Sequence, residues 1–165
     1  SITAVHLPQG GMPALGDNPL FLGCADYRST IASNGESSGF TFPEEMRRHA
    51  DKGTALVTDK DPGDAEIAEV VSQAAAHSCI VLGTYNGHIL QGQLRLAKAL
   101  AATGLPMILV ALRNPYDLRN MPNHVAALAG WEYTRPLFDA LWPVLNGTVR
   151  PTGKLPLLTL TKAAK

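Results

Sequence analysis

The residues best placed to do chemistry form the run Arg113-Asn114-Pro115-Tyr116-Asp117, which follows six apolar residues, Met107 to Leu112. An arginine fork and a carboxylate at the end of a buried strand can hold a polar ligand. They can equally pair with each other or cap neighbouring backbone. A second group is Thr84-Tyr85-Asn86-Gly87-His88. Asn86-Gly87 reads as a turn, since both residues tolerate positive φ, and the adjacent His88, with no carboxylate or cysteine at a useful spacing, reads as a lone polar histidine. A third is Gly130-Trp131-Glu132-Tyr133, whose flat aromatic faces suit either a sugar ring or packing against the last helix.

Glycosidic chemistry normally needs two carboxyl groups a few ångströms apart. Asp59, Asp117 and Glu132 are the acids available at strand ends, and no spacing marks two of them as a pair. Glu44, Glu45, Glu66 and Glu69 fall on expected helices and read as solvated faces. The chain has no phosphate-binding glycine loop, no GxSxG elbow and no zinc-ligand spacing. No catalytic residue, metal or cofactor is therefore expected.

These loops need a scaffold, and the apolar pattern supplies one. Leu20–Cys24, Thr54–Thr58, Cys79–Leu82, Met107–Ala111 and His124–Ala129 read as strands. Most are apolar at every position, the mark of strands buried on both faces. Thr41-Phe42-Pro43-Glu44 resembles a capping box at the start of a short helix. Asp61-Pro62 reads as the start of a second helix, with Ile67, Val70, Val71, Ala74 and Ala75 on one face. A third helix carries Leu90, Leu94, Ala97, Leu100 and Ala101, and ends at Thr103-Gly104. Thr134-Arg135-Pro136 opens a last helix, which Asn146-Gly147 ends. Pro8–Asn18 and Ser33–Gly39 read as surface loops.

Strands alternating with helices imply parallel connections. The expectation is a single α/β domain over residues 1–165, a three-layer αβα sandwich of flavodoxin-like type. Its mostly parallel, doubly wound sheet has about five strands, with Ser1–Val5 as a peripheral addition. Ligands in such sheets bind beyond the carboxyl ends of the strands. That rule selects the loops at Asp59, Thr84–His88, Arg113–Asp117 and Gly130–Tyr133, and the binding candidates Tyr85, Asn86, His88, Arg113, Tyr116, Asp117, Trp131 and Glu132.

Bulk properties exclude several classes. With 14 basic and 14 acidic residues the formal charge is zero, which argues against nucleic-acid or membrane-surface binding. No window approaches the length of a membrane span. Ser1–Val5 lacks the basic start and long apolar core of a signal peptide. Cys24 and Cys79 sit in apolar runs and read as core thiols.

The order of several segments resembles the C-terminal domain of glycoside hydrolase family 3, of the β-N-acetylhexosaminidase type. Arg113–Asp117 and Pro151-Thr152-Gly153-Lys154-Leu155-Pro156 carry the resemblance most specifically. Ser1–Val5, Gly11–Leu15, Val81–Asn86 and Gln93–Leu100 fall in matching order. In the β-glucosidase branch a longer acidic loop supplies the acid/base Glu. Here Gly83 to Gln93 is short and holds no Asp or Glu. The resemblance therefore implies the hexosaminidase branch, whose acid/base and nucleophile lie on a separate TIM barrel with no counterpart in this chain. It implies an accessory domain, silent alone, partnered by that barrel and bordering an N-acetylglucosamine site at the interface, in a parent either cytoplasmic or exported. A second reading is a free-standing small-ligand-binding or interaction module on the same fold.

Overall fold

The computed structural model describes residues 1–26 and 39–153. Within these residues six strands, β1 (Thr3–His6), β2 (Pro19–Cys24), β3 (Thr54–Thr58), β4 (Cys79–Thr84), β5 (Met107–Ala111) and β6 (Val125–Ala129), form one sheet in the order β1-β6-β5-β4-β2-β3. The five strands β2 to β6 pair in parallel, and β1 joins β6 antiparallel as an edge. The chain moves outward from β2 to β3, then crosses to β4 on the other side. This reversal creates a switch point between β2 and β4, where a doubly wound sheet opens a crevice.

Among the described residues, four helices cover the sheet: α1 (Phe42–Ala50), α2 (Asp64–Ala74), α3 (Gly92–Ala101) and α4 (Arg135–Leu145). Phe42, Met46, Phe138, Leu141 and Leu145 of α1 and α4 pack on Phe21, Val81, Ile108 and Leu128. Ile67, Val70, Leu96, Ala97 and Leu100 of α2 and α3 pack on Leu20, Leu22, Ile80 and Leu109. Alternate residues of each central strand thus feed opposite cores, so β2, β4, β5 and β6 are apolar almost throughout. The expected three-layer αβα architecture is present.

Local signals set the starts of α1 and α4. Thr41 caps α1, its Oγ1 accepting the Glu44 N–H at 3.4 Å and donating to the Glu44 carboxylate at 2.8 Å. Thr134 caps α4 through the Leu137 N–H. The start of α2 departs from expectation: Gly63 is its N-cap, two residues past Asp61. Asp61 instead turns its Oδ1 to the Gly92 N–H at 2.8 Å, capping α3 from a distance. Ala75 is exposed rather than on the apolar face of α2, and Leu96 carries the burial expected of Leu94 on α3.

Glu45 corrects another expectation. It is buried, not solvated, and pairs with Arg48 and, at 3.5 Å, with Arg135 of α4. It therefore helps join α1 to α4. The stretch from Pro8 to Asn18 is irregular, as expected, while positions 33–38 of the second expected loop lie outside the described residues, as does the family-like segment from Lys154 onward.

Candidate functional site

Asp117 organises the crest, the rim formed by the carboxyl ends of the strands. It lies in a 3₁₀ turn, Pro115–Leu118, that Asn114 caps by accepting the Tyr116 N–H at 3.0 Å. Pro115 supplies the fixed φ of the first turn position. The Asp117 side chain points inward and is fully buried. Oδ2 accepts the Gly87 N–H at 2.9 Å and Oδ1 the His88 N–H at 2.7 Å. One carboxylate thus clamps the loop after β4 to the loop after β5.

The clamped loop is a tight turn. Asn86 adopts φ 57°, and its carbonyl accepts the N–H groups of both Ile89 and Leu90. Gly87 lies so close to the clamp that a Cβ would stand 3.1 Å from the Asp117 carboxyl carbon. The His88 imidazole is one-third exposed, with Nδ1 3.5 Å from Asp117 Oδ1 but not aligned as a hydrogen bond.

Gln93 fixes the other end of this loop. Its Oε1 accepts the Tyr85 N–H, while its Nε2 donates to the carbonyls of Tyr85 and Lys60. A single amide thereby ties β4, the β3–α2 connection and α3 together. The sequence offered no spacing that marks this role.

A second set of contacts builds an aromatic platform. The buried Tyr133 hydroxyl accepts the Phe42 N–H at 2.7 Å and donates to the Cys24 carbonyl at 3.0 Å. Burial pushes its ionisation well above the ordinary tyrosine range. The Tyr85 ring meets Tyr133 edge-on, with centroids 5.5 Å apart. Arg113 donates from Nη1 to the Tyr85 hydroxyl at 2.7 Å, its guanidinium 5.6 Å from the ring centroid.

The structure therefore separates the expected residues into distinct roles. Asp117 caps backbone and forms no ion pair with Arg113, so the two do not act as one ligand-holding pair. Tyr85, Asn86 and Asp117 are buried supports, while Arg113, Tyr116 and Glu132 are exposed on the crest. Tyr116 carries the Arg119 guanidinium over its ring at 4.3 Å. Trp131 has φ 71° and packs on the α2–α3 core, opposite α4. The expected packing against the last helix belongs to Tyr133, whose ring lies 5.0 Å from that of Phe138.

Asp26 was missed by the sequence reading. It is only 5% exposed and lies just past β2, at the switch point. The strand-end rule applied to β2 as well would have found it. Asp59 Oδ1 accepts the Asp61 N–H, so this crest acid supports its own loop. Among the described residues no group of three or more His, Cys, Asp or Glu is arranged to hold a metal ion.

A cavity of about 430 Å³ opens at the opposite end of the sheet, against Met12, Leu15, Trp142 and Leu145. Its size suits a small ligand, but its polar groups are engaged. Lys52 stands 3.6 Å from Asp17, and Asn146 accepts the Thr148 N–H. The strand-end rule and the exposed polar groups favour the crest.

The class defined by this geometry is a doubly wound α/β domain with its polar groups gathered at the switch-point end. The solved structures it is similar to narrow that class. It superposes on a glycoside hydrolase family 3 β-N-acetylglucosaminidase from Paenibacillus sp. str. FPU-7 with TM-score 0.80 and 24% identity, over 94% of this chain and 30% of that one. A fungal multi-domain family 3 β-N-acetylglucosaminidase matches at TM-score 0.73 and 19% identity, over 94% of this chain and 17% of the other. A β-glucosidase from Listeria innocua matches at 0.71 and 17% identity, over 94% and 25%. The chain thus has a fold found within family 3 enzymes and spans less than a third of their length. No family model and no curated protein matches its sequence.

Proposed function

We infer that residues 1–165 form the accessory C-terminal α/β domain of a retaining family 3 glycosidase of the β-N-acetylhexosaminidase type. The parent would remove terminal β-linked N-acetylglucosamine. The observation that carries this reading is the superposition over 94% of this chain on 30% of a β-N-acetylglucosaminidase. The crest geometry supports it. Its best-placed acid, Asp117, is buried with both oxygens committed to backbone N–H groups. A general acid must reach the glycosidic oxygen, and a retaining pair needs carboxyls about 5–5.5 Å apart with the sugar between them. Asp117, buried with both oxygens engaged, does not meet the first requirement.

The domain's part is then mechanical. The Asp117 clamp and the Gln93 bridge fix the loops after β3, β4 and β5 as one rigid rim. A barrel domain docked against that rim would have its own loops held in place, with Arg113, Tyr116 and Glu132 facing the junction. The flanking coding sequence tests this directly. An upstream TIM barrel in frame is expected, and a start codon immediately before Ser1 would refute the reading. Amide shifts on titration with N-acetylglucosamine separately report whether the rim touches sugar, through the signals of Asn86, Arg113 and Trp131.

A further inference from the structure

Arg113 is held in a way that the accessory role does not use. Its Nη1 is fixed by the Tyr85 hydroxyl, and its plane lies within cation–π distance of the same ring. Tyr85 is itself only 5% exposed and braced by Tyr133, which is pinned to α1 and β2. Among the described residues no carboxylate lies within ion-pair distance of Arg113: the ion pairs present involve Arg48, Arg135, Lys52, His49 and His88. The nearest candidate by sequence, Asp117, is turned inward and saturated. The side chain is nevertheless exposed.

Holding an arginine in one geometry costs rotamer entropy. Here that cost is met before any partner arrives, by a platform made of three elements. The bond to Tyr85 uses Nη1 and leaves the Nε–Nη2 edge facing away from it. That edge is the fork that accepts a carboxylate through two parallel hydrogen bonds. The acids Asp59, Asp61 and Glu132 and the bases Lys60 and Arg119 are all exposed on the same crest, so the planar fork, more than the surrounding charge, defines what Arg113 can hold.

We propose that Arg113, fixed on Tyr85, is a receptor for one carboxylate supplied from outside this domain. The carboxylate has two sources, an acidic side chain of a neighbouring domain or the acid group of a small sugar acid. The inference rests on the crest as the functional rim and not on glycosidase parentage, so the two fail separately.

The test is a titration of the ¹⁵N-labelled chain with sodium acetate, against sodium chloride at equal ionic strength, read at the arginine Nε–Hε signals. A saturating shift at Arg113, larger than at Arg95 or Arg150, is expected. Arg113→Lys keeps the charge but loses the fork, and should weaken binding about fivefold or more, read at the Tyr85 and Asn114 amides. Arg113 is exposed, so this variant should fold. Equal, unsaturable shifts at all three arginines would overturn the proposal, as would a lysine variant that binds acetate as well as the parent chain. A second arm uses D-glucuronate. Affinity about tenfold above acetate assigns the carboxylate to a sugar acid; affinity equal to acetate shows that the sugar ring adds nothing and favours the side chain of a neighbouring domain.

Discussion

Asp117 concentrates more consequence than any other residue of the crest. Its two oxygens are spent on the N–H groups of Gly87 and His88 in a fully buried setting. Replacing it with alanine leaves two buried donors unpaired and opens a void. Asp117→Ala should cost about 2–4 kcal/mol, read as a lower urea midpoint. A loss within about 0.5 kcal/mol would show that the clamp is ornamental. The cysteines make a different prediction. Burial pushes both the Cys24 and Cys79 thiols from 9.0 up to about 12. Each folded-state pKa lies above its unfolded value. The stability they contribute is therefore complete below about pH 9 and falls as pH rises toward 12. Urea midpoints should decline across that alkaline window, and less steeply in Cys24→Ala and Cys79→Ala than in the parent. Native-state thiol labelling at neutral pH should be slow, because the thiolate is the reactive form.

At the scale of elements, Tyr133 joins three of them through one hydroxyl: the loop after β6, the first residue of α1 and the last residue of β2. Tyr133→Phe removes both bonds and leaves the Phe42 N–H and Cys24 carbonyl unsatisfied in the core. A loss of about 1–3 kcal/mol is expected by urea unfolding, together with amide shift changes at Tyr85 and Arg113. The strands themselves were legible in the sequence, because β2, β4, β5 and β6 are buried on both faces and so apolar throughout. The caps of α1 and α4 were legible for the same local reason, a Thr just ahead of a proline-marked first turn. The start of α2 was not. Asp61 has the look of a local cap, but its carboxylate serves Gly92, 31 residues away. Glu45 has the look of a solvated helix acid, yet α4 folds over it. The roles of Asp117, Gln93 and Tyr133 also depend on partners remote in the chain. Spacing alone carries local hydrogen bonds, and these are not local.

At the scale of the molecule, a fold of this size recurs within chains several times longer. The crest gathers its exposed groups at one end: Ile89 is 66% exposed and Tyr116 39% exposed, on the two loops that Asp117 ties together. Apolar side chains presented on a rigid frame suit contact with a neighbouring domain. On the function proposed above, this chain supports a glycosidase without performing its chemistry. Hydrolysis of an aryl β-N-acetylglucosaminide by the purified chain tests that most directly, with Asp117→Asn and Glu132→Gln run beside it. Release indistinguishable from buffer is expected in all three. Steady turnover by the unsubstituted 165-residue chain that disappears in either variant would contradict this and place a working carboxylate on this crest.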